Sequence, residues 1–179
     1  MNIGFDLDNV IVKYPPLFPS SLIDTIYKKK TPEGLAYRIP GVLEQKLRIV
    51  SHYPLMRPQH RKNTLFVKGL AGNKQYKKFL ISSRFGFLKK RTEVLVRKYQ
   101  LDKVFDHLYF NYTNKQPHLF KDALVKKLHI ERYVDDDLPL LRYLATNNKS
   151  VKFYWLNKKV KRKLNQNLFA ITDISHMLH

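Results

Sequence analysis

The stretch NIGFDLDNV, residues 2–10, sets two carboxylates, Asp6 and Asp8, directly after a short apolar run. Acids are scarce in this chain, with 14 Asp and Glu against 34 Lys and Arg. Five of them, Asp6, Asp8, Asp135, Asp136 and Asp137, fall in just two stretches, NIGFDLDNV and YVDDDLPLL. Concentrating acids in this way answers a local chemical demand rather than a need for solubility.

Working outward from NIGF (2–5), β-type runs recur at KFLIS (78–82), HLYF (107–110), RYV (132–134) and VKFYWL (151–156). Amphipathic stretches lie between them. Leu88, Thr92, Leu95 and Tyr99 keep helical spacing, as do Leu119, Ala123, Lys126/Lys127 and Ile130 less perfectly. LPLLRYL (138–144) reads as a third short helix, with Pro139 acceptable in its first turn. Such alternation predicts an α/β domain with a mostly parallel sheet.

Residues 13–77 break the rhythm. They hold most of the prolines and several basic runs, with modest helical periodicity in VLEQKLRIV (42–50). They are expected to form an insertion of loops and a few short helices. The tail NKKVKRKLNQN (157–167) is basic, and the apolar ending from Leu168 to Leu178 is expected to pack back on the core.

A length of 179 residues suits one domain with a small insertion. The unusual quantity is a net charge of +20, whose field gathers polyanions, phosphorylated metabolites or anionic membranes. The absence of cysteine excludes disulfides, thiolate chemistry and Cys-based metal sites. Met1 to Phe5 is too short for the apolar core of a signal peptide, and no apolar run approaches ~20 residues. A soluble, cytoplasmic protein without membrane attachment is expected.

In a parallel sheet, ligands bind outside the carboxyl ends of the strands. Asp6 and Asp8, Ser82, Lys121, and Asp135 with Asp136 all fall at such places. Each has an ordinary explanation alone: a turn-forming Asp, a capping Ser, a solvated Lys. Together they do not, because carboxylates gathered at one edge repel each other unless a cation offsets them. A hard divalent ion suits such oxygens, and Mg²⁺ commonly takes one or two carboxylates plus a substrate phosphate. Three carboxylates and one Mg²⁺ leave the site anionic, so a lysine beside it helps it accept a phosphate. Strand alternation sends Asp6 and Asp8 to one side. One can then attack phosphorus while the other, protonated part of the time, serves as acid.

IGFDLDNVIV, FLISSR, Lys121 in LFKDALVKKL, and YVDDDLPLL resemble, in order and spacing, the four motifs of the haloacid dehalogenase-like (HAD) superfamily of phosphohydrolases. The likeness is nearest to its small 5′-nucleotidase-like members. It covers residues 1 to about 156. It implies a Rossmann-like three-layer sandwich, with a core of residues 1–12 and 78–179 and a cap of 13–77 after the first strand. By resemblance Asp6 is the nucleophile and Asp8 the general acid/base, its backbone carbonyl a further metal ligand. Ser82 binds the transferring phosphoryl group, with Ser83 an adjacent candidate; Ser83, Arg84 and Asn9 are carried over as substrate-binding residues. Lys121 matches the family's lysine better than Lys115, Lys126 or Lys127. Asp135 matches the Mg²⁺ ligand and Asp136 the second acid, while Asp137 has no counterpart. Asn9 and Val10 depart from the family's common glycine and threonine, and Asn tolerates left-handed backbone better than most residues.

The function so implied is a Mg²⁺-dependent phosphatase acting on a small phosphomonoester, nucleotide-like, through an aspartyl-phosphate. Two alternatives follow from +20 and from the basic runs at 89–91 and 158–163: a phosphatase of nucleic-acid ends, and a non-catalytic nucleic-acid-binding protein on this scaffold. The insertion is basic as well, through Lys28, Lys29, Lys30, Arg38, Arg57, His60, Arg61 and Lys62. Most of these cations, and those at 89–91 with Arg97 and Lys98, read as solvated surface.

Overall fold

The structure is a computed structural model and describes residues 1–15, 28–31, 34–70, 72–157 and 162–178. Its strands are β1 (Asn2–Phe5), β2 (Lys28–Thr31), β3 (Gly34–Tyr37), β4 (Lys77–Ser82), β5 (His107–Phe110), β6 (Arg132–Asp135), β7 (Lys152–Leu156), β8 (Arg162–Asn165) and β9 (Leu168–Ile171). Its helices are α1 (Val42–Ser51), α2 (Arg61–Gly69), α3 (Lys89–Tyr99), α4 (Leu101–Val104), α5 (Pro117–Lys127) and α6 (Leu138–Asn147).

Seven strands form one sheet in the order β5-β4-β1-β6-β7-β9-β8, parallel except for the β8–β9 hairpin at its edge. β1 lies between β4 and β6. The chain therefore leaves β1 for one side of the sheet and later returns to the other, which opens a crevice at the end of β1. Asp6 stands at that point, and its N–H continues the ladder to the Val134 carbonyl at 3.0 Å.

Alternation along the strands supplies two cores. Ile3, Phe5, Leu80, Val134 and Tyr154 face one side and pack with Val67 of α2, Leu95 of α3, Leu101 of α4, and Ile174 and Met177 of a closing 3₁₀ turn. Phe79, Ile81, Tyr133 and Phe153 face the other and meet Leu124 and Val125 of α5 and Leu140, Leu141 and Leu144 of α6. That is the three-layer arrangement expected. Gly4 is required in it: a Cβ there would stand 2.4 Å from the fully buried Tyr133 ring.

Within 13–77 the structure departs from loops and short helices alone, since β2 and β3 pair as an antiparallel hairpin. Residues after Asp8 fold back sharply: Ile11 and Val12 N–H both bond Leu7 O, and Asn9 adopts φ 57°, the left-handed backbone that Asn accepts. The returning chain is tied alongside, His60 N–H to Ile11 O and Lys13 N–H to Pro58 O. The tail does more than pack on the core, because β9 adds a parallel strand beside β7.

Part of the α3 basic run is not a solvated face. Arg91 Nε donates to Ile49 O at 3.2 Å with its guanidinium over the Tyr53 ring, and Lys98 Nζ donates to Pro54 O at 3.1 Å. These two cations hold residues 49–54 against α3, a role that helical spacing cannot reveal. Of the basic run at 158–163, residues 158–161 lie outside those described.

Candidate active site

β1, β4 and β6 end side by side, so register alone brings the residues after them together. Asp6 follows β1, Ser82 closes β4, and Asp135 closes β6 with Asp136 next. Lys121 reaches them from the second turn of α5, a helix started by Pro117 at a first-turn position where the missing N–H costs nothing.

Asp6, Asp135 and Asp136 each present a carboxylate oxygen within 4.8 Å of the others. Lys121 Nζ donates to Asp6 Oδ1 and to Asp135 Oδ2, both at 2.6 Å, and is 3% exposed. Asp135 also accepts from Tyr133 Oη at 3.2 Å and from the Asp137 N–H at 3.0 Å. One lysine among three carboxylates leaves the group short of positive charge. Burial, offset in part by Lys121 and reinforced by Asp135 and Asp8, pushes Asp6 up to about 7. Burial together with Asp135 and Asp6 raises Asp136 well above the usual carboxylate range. Lys121, despite burial, is raised by Asp135 and Asp6 and stays charged.

Asp8 sits apart from this group, held by two arginines. Arg84 grips it as a fork, Nε to Oδ2 at 2.8 Å and Nη2 to Oδ1 at 2.7 Å, and Arg57 Nη1 adds a third bond at 3.1 Å. Burial acts to raise Asp8, but the arginines outweigh it and hold the carboxyl far below its ordinary range. Asp6 therefore carries the raised affinity for a proton and Asp8 the lowered one, an order that the Asp-Leu-Asp spacing does not set. The physical reason is that Arg84 and Arg57 converge on Asp8, whereas Asp6 shares a single lysine with Asp135.

Ser82 Oγ accepts weakly from the Arg84 N–H at 3.4 Å, while the buried Ser83 Oγ has no hydrogen-bond partner among the described residues. Asn9 serves the turn after β1 through its backbone. Asp137 caps α6, accepting from Leu140 N–H at 3.3 Å. Lys126, weighed against Lys121, lies on the outer side of α5 paired with Asp122.

The insertion supplies groups that spacing did not single out. Tyr14 Oη donates to Asp136 at 3.0 Å and Tyr37 Oη to Asp137 at 2.7 Å. Burial and the adjacent aspartates raise both phenols, which therefore remain donors. His52 offers its Nδ1–H to Arg48 O at 2.8 Å, leaving Nε2 to accept from Arg57 at 2.7 Å. Burial and Arg57 lower His52 well below its ordinary value, keeping it neutral for that role. Arg57, read from sequence among surface cations, is 3% exposed. No sequence signal marks it, because its partner Asp8 lies 49 positions away.

All of this encloses a cavity of about 620 Å³. Asp6, Asp8, Ser82, Ser83, Arg84, Lys121, Asp135 and Asp136 line it on one side, and Tyr14, Leu47, Val50, His52, Met56 and Arg57 of the insertion on the other. Three carboxylates, Asp6 and Asp135 buried and Asp136 half-buried, offer hard oxygens within reach of one another and form a donor set that suits Mg²⁺.

No protein-family model and no curated protein matches this chain. Solved structures do. A HAD-superfamily hydrolase from Ehrlichia chaffeensis is 11% identical with TM-score 0.54, over 98% of this chain and 92% of that one. A HAD family enzyme from Bacteroides thetaiotaomicron, an aspartate-to-alanine variant in complex with magnesium and inorganic phosphate, is 12% identical with TM-score 0.56, over 89% and 95%. This chain has the HAD fold. A chain of the Pnkp1/Rnl/Hen1 RNA repair complex is also similar, at 18% identity and TM-score 0.55, over 87% of this chain. Our chain spans only 42% of that chain's length. Among the described residues, no helix of this HAD-fold chain is long and apolar enough to cross a membrane.

Proposed function

We propose that this chain is a Mg²⁺-dependent phosphatase that hydrolyses a phosphomonoester, nucleotide-like in kind, through an aspartyl-phosphate on Asp6. The observation that carries the reading is Lys121 bridging Asp6 and Asp135 at 2.6 Å each, with Asp136 in the same carboxylate group. Asp6, Asp135 and Asp136, with the Asp8 backbone carbonyl, would hold Mg²⁺. Mg²⁺, when bound, supplies charge neutralisation for the carboxylates and the phosphoryl oxygens.

Asp6 attacks phosphorus once its proton is displaced, and Lys121 offsets charge on the phosphoryl oxygens. The hydroxyls of Ser82 and Ser83 would donate to those oxygens, a reading supported by the unpartnered Ser83 Oγ. Arg84 is the second phosphate ligand. When its fork turns from Asp8 to the phosphoryl group, Asp8 loses its main partner, its proton affinity climbs, and it can protonate the leaving oxygen and later deprotonate water. Residues 13–77 act as the cap, with Arg57 keeping Asp8 oriented and Leu47, Val50 and Met56 meeting the organic part of the substrate.

A second reading, action on the phosphorylated end of a nucleic acid, draws support from the +20 charge and from the likeness to an RNA repair chain. Phosphate release should be measured with and without Mg²⁺ over nucleotides, sugar phosphates and 3′- or 5′-phosphorylated oligonucleotides. Asp6→Asn is expected to lower turnover by roughly 10³-fold or more while circular dichroism stays unchanged. Equal release by the two proteins would remove the catalytic reading.

A further inference from the structure

A second cavity, also of about 620 Å³, lies over β7, β9 and β8 and shares no lining residue with the first. Lys152, Arg162, Lys163 and His176 line it, with Tyr154 and Phe169 as its floor. The two rings stack at 5.6 Å between centroids, and Lys163 Nζ lies 6.0 Å from the Phe169 ring centre. Arg132 pairs in register with Lys152, so both occupy the face that carries Tyr154, and Arg132 Nη1 is buried with no hydrogen-bond partner. His176 Nδ1 is likewise buried and unpartnered.

Among the described residues none of Lys152, Arg162, Lys163 and Arg132 has an acidic partner. The acids nearest along the chain are taken elsewhere: Glu131 accepts from the Asn2 N–H at 2.9 Å, and Asp173 pairs with Lys62 and Ser175. Cations gathered without counter-charge repel each other, and a bound polyanion relieves that cost. We propose that this groove binds the sugar–phosphate backbone of a single-stranded nucleic acid, independently of the phosphatase site.

Three observations favour a strand over other anions. Lys152 and Lys163 stand on strands two apart, roughly 10 Å at the usual strand spacing, which suits a row of phosphates better than one. Phe169, half-buried at the groove floor, offers the kind of aromatic surface on which bases stack. An anionic membrane would be met by exposed apolar side chains beside the cations, yet among the described residues the exposed large hydrophobic side chains lie at 39–65, 94 and 119 and none at 152–157 or 162–178. The groove also begins at the amino ends of β6 and β7, the sheet edge opposite Asp135.

The test is fluorescence anisotropy with a labelled, unphosphorylated oligonucleotide of about 20 nucleotides, which cannot report on the phosphatase site as substrate. Wild type is compared with Lys152→Ser/Arg162→Ser/Lys163→Ser and with Lys74→Ser/Lys90→Ser/Lys103→Ser, which removes the same charge elsewhere. The groove variant is expected to bind about tenfold or more weakly and to flatten the salt slope by about 2, at ~0.7 per lost phosphate contact; the control should lose under about threefold. Equal losses would assign the binding to net charge alone and overturn the proposal. So would no binding by the wild type at about 100 mM salt, or displacement of the oligonucleotide by phosphatidylserine vesicles. Ultraviolet cross-linking of the wild type keeps the test valid if the variant misfolds: adducts at Tyr154, Phe169 or His176 are expected, and adducts confined to other peptides overturn it.

Discussion

Lys121 is the residue on which the carboxylate group depends. Its buried ammonium satisfies two aspartates at once, so its removal leaves both without their cation. Lys121→Ala is expected to cost about 3 kcal/mol, at the low end for a broken buried pair because the cavity admits water. Melting should then fall by roughly 6–12 °C in a chain of this size, and Mg²⁺ should recover part of the loss. Asp6 makes a pH statement as well. Its folded value, about 7, lies above the ordinary 3.8, so the folded state favours the protonated form. The stability this contributes is full below pH 3.8 and is lost as pH rises through about 7. A cation at the site competes with that proton. The rise in melting temperature produced by Mg²⁺ is therefore expected to be larger at about pH 8 than at about pH 6. A Mg²⁺ effect that is equal at the two values would count against Asp6 as a ligand.

At the scale of elements, the contact between β1 and β6 sets the site's geometry. Gly4 has no side chain where the Tyr133 ring passes, and that ring carries the hydroxyl that donates to Asp135. Gly4→Ala is expected to destabilise by about 1–3 kcal/mol, because the fully buried Tyr133 has no room to yield. The same change should weaken Mg²⁺ binding, since Asp135 loses a partner. A thermal melt and a Mg²⁺ titration check both, with Gly41→Ala as control, where a Cβ meets nothing within 4 Å. The strands and helices of the core could be read from periodicity, as their apolar faces meet the sheet directly. α1 shows why the insertion could not be read as easily: it has no buried residue, and Leu43 and Leu47 are exposed. Its placement comes from bonds to residues far along the chain, such as Arg91 to Ile49 O.

For the whole molecule the governing quantity is charge. A field from +20 draws a phosphate dianion toward the crevice, and salt screens it over ~8 Å at physiological strength. KM for a small phosphomonoester is expected to rise several-fold between about 20 and 300 mM salt, with kcat nearly constant, in steady-state kinetics. A fall in kcat instead would mean that salt acts on the bound state.

The sequence by itself determined that Asp6, Ser82, Lys121 and Asp135 meet at one edge of a mostly parallel sheet. A parallel sheet sends the ends of its strands to one edge, whatever fills the loops. Only the tertiary structure decided which cation serves which carboxylate. Asp8 meets Arg84 from 76 positions away and Arg57 from 49, and Asp136 meets Tyr14 from 122. No period or motif links such partners, because their distances are set by how the insertion and α3 pack, not by local backbone geometry. The electrostatics of Asp6 and Asp8 follow those partners, so their order of proton affinity became readable only once the chain was folded.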